Sequence, residues 1–287
     1  MSFKIIKGLS DIWEDYNGYV VDLWGVIHDG KVLYPDVLRS LEELRTLKKQ
    51  IVFLSNAPRK SIFIKERLSD LKIDPHLYKG LITSGDDALG AMIETYIPNF
   101  GCHAFFIGGE KDRHMLDVPG LKEAISIEKA DFILGIHTFS WEDSLEDYMA
   151  LLEKGLKKNI PFVCVNPDLI VHIQGEELIC AGTLADWYES QGGKVFSHGK
   201  PHKSVYERAL NVLEIENKSK ILCIGDSLRT DVTGAVQQGL DVAFIPAGIH
   251  KFECLETGKD LPFEKNLRNV FQKHGKVPTY VLPEFKR

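Results

Sequence analysis

The sequence predicts an α/β fold, in which a mostly parallel sheet flanked by helices carries a second, inserted α/β domain. Two observations predict it. Short apolar runs alternate with longer amphipathic segments, as strands and crossover helices do around a parallel sheet. The apolar runs that end in polar residues lie on both sides of a middle region, and this middle region has a separate series of apolar runs, as an inserted domain would. With 287 residues, 44% of them hydrophobic, the chain can build a sizeable core.

The first part of the sheet is predicted as a strand, a helix and a second strand. Tyr19–Trp24 and Ile51–Ser55 are the two apolar runs. Between them, Pro35–Lys49 places apolar residues three and four positions apart, which is the spacing of one helix face. These three segments therefore form one strand-helix-strand unit of a parallel sheet.

The middle of the chain is interpreted as an insertion. Strands are predicted at Cys102–Ile107, Asp131–Ile136 and Phe162–Val165, with a helix at Asp143–Lys158. Because the segments with shared chemistry flank this region, we place the inserted domain at about residues 82–192. The core then consists of residues 1–81 and 193–287.

The later part of the chain returns to the first sheet. Lys220–Asp226 and Asp241–Pro246 are strand-like runs, and the helix predicted between them, Val232–Gln238, is ended by Gly239. The tail after Lys251 is rich in charge and weak in pattern. We expect it to wrap the core or to be partly mobile.

The charge balance excludes several classes of partner. Lysine and arginine number 35 against 41 acidic residues, which gives a formal charge of -6. A broad positive surface for nucleic acid or an anionic membrane is therefore not expected. A small molecule is the default partner, and the sequence leaves a homodimer open.

Cysteine usage and hydropathy indicate a soluble protein of the cytoplasm. The five cysteines are odd in number and contain no C-x-x-C pair, which argues against a disulfide framework and against a zinc ribbon. No window approaches the ~18 apolar residues of a membrane span. We therefore expect a soluble, unexported, cytoplasmic chain.

Polar residues at the ends of the predicted strands are the candidates for chemistry. Asp22 follows the first run, Ser55 and Asn56 follow the second, and Asp226 follows a later one. In an open parallel sheet, ligands collect beyond the carboxyl ends of the strands. A carboxylate there can act as a nucleophile or as an oxygen ligand of Mg²⁺.

Four short motifs in order resemble those of the haloacid dehalogenase (HAD) superfamily of aspartate-nucleophile hydrolases. The motifs are Asp22–Val26, Leu54–Ala57, Gly199–Pro201 and Gly225–Asp231. The resemblance covers nearly the whole chain and implies a Rossmann-like parallel-sheet core. The insertion between the second and third motifs resembles a class II cap, and Asn166–Asp168 and Cys180–Gly182 resemble its subclass A, the branch of p-nitrophenyl, sugar and nucleotide phosphatases.

The resemblance implies a Mg²⁺ site and a nucleophile. Asp22 would attack phosphorus to form an aspartyl phosphate. Asp22 and Asp226 would hold Mg²⁺ together with the backbone carbonyl of Trp24, and Asp231 would orient water from the second shell. The implied reaction is the hydrolysis of a small phosphorylated metabolite such as a sugar phosphate, a nucleotide, or an aryl or acyl phosphate.

The resemblance also implies a phosphate site. Lys200 would offset the repulsion between Asp22 and an incoming phosphate. Gly25, Ser55 and Asn56, with nearby backbone N–H groups, would bind the phosphate oxygens.

Trp24 departs from the family pattern. Phosphatases of the superfamily carry a second aspartate two residues after the nucleophile, where it acts as general acid and base, and an indole cannot shuttle a proton. General acid-base catalysis contributes roughly 10² to 10⁴-fold. Nearby, His28 or Asp29 are the alternative sources of an acid, whereas His198 and His202 are interpreted as loop residues rather than ligands.

Three readings of Trp24 stay open. The chain is a phosphatase restricted to good leaving groups, or it cleaves a non-ester bond such as C–P, or it is a weak or inactive relative that binds or senses a phosphorylated ligand. The pair Asp226 and Asp231 resembles the Mg²⁺-dependent branches and disfavours a metal-free dehalogenase.

Overall fold

The structure is a computed structural model that describes residues 2–140, 142–173, 176–254 and 264–287. It divides into two compact units. The first contains Met1–Ser55, Lys65–Ile82 and Lys200–Arg287, and the second contains Asn56–Ile64 and Thr83–Gly199. Each unit has its own sheet.

The strands, in chain order, are β1 (Lys4–Ile5), β2 (Gly18–Val21), β3 (Gln50–Ser55), β4 (Gly80–Thr83), β5 (His103–Ile107), β6 (Lys122–Glu123), β7 (Phe132–Gly135), β8 (Phe162–Cys164), β9 (Ile170–Ile173), β10 (Glu176–Ile179), β11 (Val195–Ser197), β12 (Ile221–Gly225), β13 (Asp241–Phe244) and β14 (Tyr280–Val281).

The helices are α1 (Val37–Thr46), α2 (Ser61–Asp70), α3 (Ser84–Ala91), α4 (Ile97–Phe100), α5 (Glu146–Lys157), α6 (Ala181–Ser190), α7 (Lys203–Leu213), α8 (Thr233–Gln237), α9 (Lys251–Cys254) and α10 (Glu264–His274). Two π-helical turns, Met92–Tyr96 and Leu228–Val232, adjoin α3 and α8. Short 3-10 turns occupy Leu9–Asp11, Pro75–Leu77, Glu110–Leu116, Ile127–Lys129 and Lys218–Lys220.

The first sheet has the strand order β1-β14-β13-β12-β2-β3-β4 within the described residues, and each pair from β1 to β3 is parallel. Every residue of β2 and of β12 is buried. A central parallel strand is covered on both faces, so it reads as an unbroken apolar run. Side chains of α7 and α10, such as Tyr206 and Phe271, pack in the same core as Val52 and Phe244.

The second unit has the parallel order β11-β8-β7-β5-β6, with β9 and β10 as an antiparallel hairpin. Two apolar clusters fill it, one around Phe162 and Tyr188 and one around Phe106 and Phe132. Because β11 pairs with β8, the unit continues to Gly199, seven residues past the predicted boundary at residue 192.

The predicted α/β class with a parallel sheet is confirmed, and the predicted strands and helices agree with the observed ones apart from short shifts at their ends. The tail was expected to wrap the core or to be partly mobile, and its described part packs against the core. Although α10 is mostly polar, Leu267, Val270 and Phe271 are buried in the core, and β14 extends the sheet. These three apolar residues have the spacing of one helix face, but they span little more than one turn, which is too short to predict a helix.

Among the described residues, no helix has the length and apolar character needed to cross a bilayer.

Candidate active site

The candidate site lies at the carboxyl edge of the first sheet. In the strand register Val21 pairs with both Ile224 and Phe53, and the backbone N–H of Asp22 donates to the Ile224 carbonyl at 2.9 Å. Asp22 comes one residue after Val21, Ser55 comes two residues after Phe53, and Asp226 comes two residues after Ile224. The register alone brings these three side chains to one edge, and all three are buried.

Lys200 joins two of the carboxylates. Its ammonium Nζ lies 2.6 Å from Oδ1 of Asp22 and 2.8 Å from Oδ1 of Asp231, and the residue is 3% exposed. A buried ammonium needs such partners, because an unpaired charge in a low-dielectric interior is strongly unfavourable. Lys200 thus fixes the nucleophile candidate and Asp231 relative to each other.

Main-chain loops enclose the carboxylate of Asp226. The backbone N–H of Ile249 donates to its Oδ2 at 2.7 Å. A Cβ added to Gly25 would lie 2.0 Å from that oxygen, and one added to Gly248 would lie 1.9 Å from it. Both glycines are therefore required by close approach of the backbone, and Gly25 also has a φ of +80°. The role of Gly25 in phosphate binding stays a prediction.

Asp231 folds back onto its own loop. Its Oδ2 accepts from the backbone N–H of Ser227 at 3.1 Å, while its other oxygen contacts Lys200. Gly225 permits this arrangement, since a Cβ there would lie 2.2 Å from the Asp231 carboxyl carbon. The predicted role of Asp231 in orienting water stays a prediction.

The charges of the site fit a divalent cation. Oxygens of Asp22, Asp226 and Asp231 lie within 4.8 Å of one another. Burial, and then the charges of Asp22 and Asp231, raise the pKa of Asp226 well above its usual range. Three buried carboxylates around one ammonium leave excess negative charge, and a hard cation is the ligand that such an oxygen set prefers. Coordination by the Trp24 carbonyl stays a prediction.

The Trp24 side chain packs on the hairpin that follows β2. Its ring lies 5.6 Å from that of His28 at 76°, and a Cβ added to Gly30 would lie 2.3 Å from the indole. Arg67 supports the same turn by donating from Nη2 to the Gly30 carbonyl at 2.7 Å. Trp24 remains 36% exposed, so an aromatic surface lies two residues after Asp22, where the family resemblance predicted an acid.

Neither neighbouring candidate replaces the missing acid. Burial and the charge of Arg67 lower the pKa of His28 to about 4, and its Nδ1 accepts from the Gly30 N–H at 3.0 Å. Asp29 accepts from the backbone N–H groups of Val32 and Lys31, which lowers its pKa. At neutral pH the imidazole is uncharged and the carboxylate is ionised, so neither holds a proton suited to transfer.

Two predicted residues lie in the second unit. Asn56 donates from Nδ2 to Oδ1 of Asp168 at 2.9 Å, so its role in phosphate binding stays a prediction. His198 is buried, with Nδ1 2.7 Å from Asp87 and Nε2 2.7 Å from the Tyr96 hydroxyl. These contacts indicate a structural role for His198.

Sequence reasoning missed the turn Gly248–His250. It follows β13, which pairs with β12, and therefore reaches the same edge of the sheet as Asp226. The available signal was a glycine soon after a predicted strand.

Two family models match the chain. A haloacid dehalogenase-like hydrolase model matches residues 19–122, and a HAD-hydrolase-like model matches residues 197–267. Together they contain all the carboxylates of the site and Lys200.

The chain is also similar to individual proteins over most of its length. It is 22% identical over 250 residues to an acid sugar phosphatase of Staphylococcus epidermidis, covering 86% of this chain and 92% of that one. It is 23% identical over 254 residues to a 5′-nucleotidase of Bacillus subtilis, covering 86% and 93%. A solved hydrolase of the haloacid dehalogenase-like family from Brucella suis is 29% identical, with a TM-score of 0.82 over 97% of this chain and 98% of that one.

Proposed function

The chain belongs to the haloacid dehalogenase-like hydrolases, and from that premise we propose that it is a Mg²⁺-dependent phosphatase of a small phosphorylated metabolite. Relatives named as an acid sugar phosphatase and a 5′-nucleotidase make sugar phosphates and nucleoside monophosphates the first substrates to examine.

The contact between Lys200 and Asp22 carries the proposal. An aspartate that attacks a phosphate dianion meets strong electrostatic repulsion, and an ammonium 2.6 Å from its oxygen offsets part of it. The same ammonium holds the Asp22 carboxylate in a fixed orientation. A purely structural aspartate at a strand end has no need of a buried lysine that is shared with a second carboxylate.

The reaction would take place in two transfers at phosphorus. A carboxylate oxygen of Asp22 forms a bond to phosphorus while the bond from phosphorus to the leaving-group oxygen breaks. Water then attacks the same phosphorus, the bond to Asp22 breaks, and inorganic phosphate leaves. The leaving-group oxygen takes its proton from solvent, and the attacking water loses its proton to solvent, since Trp24 can do neither.

Asp22 and Asp226 would hold the cation, with the Trp24 carbonyl as a further ligand and Asp231 acting through its contact with Lys200. When bound, Mg²⁺ would supply neutralisation of charge on the transferred phosphoryl oxygens. Lys200 and the N–H of Ile249 keep the two coordinating carboxylates in place.

The inserted unit, predicted at residues 82–192, is proposed to be the cap that selects the substrate. Its described sheet and apolar clusters make it an independent packing unit, as a substrate-selecting domain requires.

The test uses p-nitrophenyl phosphate, whose leaving group needs little protonation. We expect phosphate release that depends on Mg²⁺ and disappears in Asp22→Asn. Asp29→Asn is the matched control, because asparagine can accept the same turn hydrogen bonds, and its rate should stay within about twofold of wild type. Equal rates for Asp22→Asn and wild type would refute the proposal.

Trp24 favours a second candidate, a non-catalytic protein that binds a phosphorylated ligand. Turnover at background for every sugar phosphate and nucleotide, together with Mg²⁺-dependent thermal stabilisation by one of them, would support this candidate. Asp22→Asn should then weaken this stabilisation, because Asp22 would also hold the Mg²⁺.

A further inference from the structure

The turn Gly248–His250 contacts the metal-site loop at two points. The Ile249 N–H donates to the carboxylate of Asp226, and the Leu228 N–H donates to Nε2 of His250 at 3.3 Å. Asp226 and Leu228 are two residues apart. One turn therefore holds both the carboxylate and the backbone that follows it.

His250 is itself held in one orientation. It is 9% exposed, and its Nδ1 lies 2.7 Å from Oε2 of Glu253. Because Nε2 accepts from Leu228, the ring proton resides on Nδ1 and is donated to Glu253. Burial lowers the pKa of His250, which favours the neutral form that this arrangement needs.

Glu253 is fixed from its other side. Its Oε1 contacts the ammonium of Lys273 on α10, and His274 of the same helix lies 3.6 Å from its Oε2. Although burial opposes the shift, hydrogen bonds from Lys273 and His250 lower the pKa of Glu253 to about 2. A chain of contacts thus runs from α10 through Glu253 and His250 to Leu228.

We propose that His250 is a positioning residue for the metal site, which fixes Leu228 so that Asp226 presents its carboxylate to the cation. Glu253 orients the imidazole. The inference rests on the metal dependence in the proposed function. Some groups hydrogen-bond to a metal ligand and orient it without touching the metal. Removing such a group typically lowers metal affinity by roughly 10 to 100-fold.

His250, Glu253 and His274 could instead be considered a metal site, because their ligand atoms lie within 4.8 Å of one another. The hydrogen bonds argue against that use. A cation on Nδ1 would require the ring proton on Nε2, where it would face the N–H of Leu228. The Lys273 ammonium beside Glu253 would also repel a cation bound there.

The test compares His250→Phe, which keeps a flat ring without an acceptor, with His250→Gln, whose carbonyl can accept from Leu228. Mg²⁺ binding to the full chain is measured by titration calorimetry without substrate. We expect the phenylalanine variant to bind Mg²⁺ roughly 10-fold more weakly and the glutamine variant to stay within about threefold of wild type.

Glu253→Gln provides a second variant in case the His250 variants misfold. Glu264→Gln is its control, because Glu264 also pairs with a basic residue, Arg268. Only Glu253→Gln should weaken Mg²⁺ binding, by about threefold or more. Equal Mg²⁺ affinity in wild type and His250→Phe, or equal weakening in both His250 variants, overturns the inference. Wild type that binds Mg²⁺ without turnover contradicts the proposed function alone, whereas wild type that binds no Mg²⁺ overturns both.

Discussion

At the scale of single residues, two side chains with opposite character define the site. Lys200 brings a buried positive charge between Asp22 and Asp231, as the proposed attack on phosphorus requires. Trp24 places an apolar ring two residues after Asp22, where the family resemblance predicts a proton donor. In the proposed reaction the leaving group therefore carries more of the negative charge itself.

Replacing Trp24 by aspartate should restore a proton donor. We expect kcat/KM for an alkyl phosphate to rise by about 10²-fold, with a smaller rise for p-nitrophenyl phosphate, whose leaving group needs little help. Steady-state assays with both substrates give the comparison. Trp24→Asn is the matched control, because it removes the indole without adding an acid, and an equal gain in both variants would mean that the ring acts by steric exclusion.

His28 should make stability depend on pH. Its pKa is about 4 in the folded chain and about 6.5 when unfolded, so the unfolded state binds more protons between these values. The stabilisation is present above pH 6.5 and is lost as pH falls toward 4, to a total of about 3 kcal/mol.

Urea unfolding of wild type and His28→Asn across this range measures the effect, since asparagine can still accept from the Gly30 N–H but does not titrate. The free energy of unfolding of wild type should fall relative to that of His28→Asn as pH falls from 6.5 toward 4. Parallel curves would show that the histidine is not buried in its neutral form.

At the scale of elements, the site depends on loops that follow parallel strands. The loop after β2 brings Gly25 against Asp226, and the turn after β13 brings Gly248 against the same carboxylate. At these two positions only glycine fits, because a Cβ would occupy the space of the carboxylate oxygens. Backbone shape is therefore as important to the proposed metal site as its acidic residues.

Gly25→Ala tests this view. The variant suffers the unfavourable φ of +80° and pushes a methyl group into Asp226, so we expect Mg²⁺ affinity to fall by about tenfold or more. Gly239→Ala is the matched control: its φ is +69°, but nothing lies within 4 Å of the added Cβ. Both variants should lose about 1 kcal/mol of stability, and only the first should lose affinity in a calorimetric titration.

At the scale of the whole molecule, the chain builds two units with separate cores. The clusters of the second unit draw on residues between Ala88 and Phe196, and its five-stranded sheet lies within residues 103–197. The carboxylates and Lys200 all belong to the first unit. The proposed metal site thus belongs to the first unit.

A fragment of residues 83–199 should fold cooperatively and bind no Mg²⁺. It would be less stable than in the full chain, since it loses the hydrogen bond from Ser84 to the Asn56 carbonyl and the ion pair of Arg59 with Asp112. Circular dichroism and urea unfolding provide the measurement.

A fragment of residues 83–192 is the control, because it lacks β11 and the Phe196 side chain that packs in the core. We expect it to unfold at lower urea concentration or without a cooperative transition. Equal stability of the two fragments would contradict the placement of β11 in this unit.

The sequence by itself determined the α/β class, the inserted region and the acidic strand ends Asp22 and Asp226. These depend on local pattern, since an apolar run followed by a polar residue is visible without knowing which strands are neighbours. The same local reasoning placed the boundary at residue 192, because nothing near Val195 says which sheet its strand will join.

Only the tertiary structure decided how the site is held together. Lys200 contacts Asp22 from 178 positions away in the chain, and the turn Gly248–His250 reaches Asp226 because β13 lies beside β12. Such contacts follow from strand order and register, which are set by the packing of the whole sheet. Asp22 was thus predictable as a candidate nucleophile. The contact of Lys200 with Asp231 was not predictable, and neither was the enclosure of Asp226 by backbone.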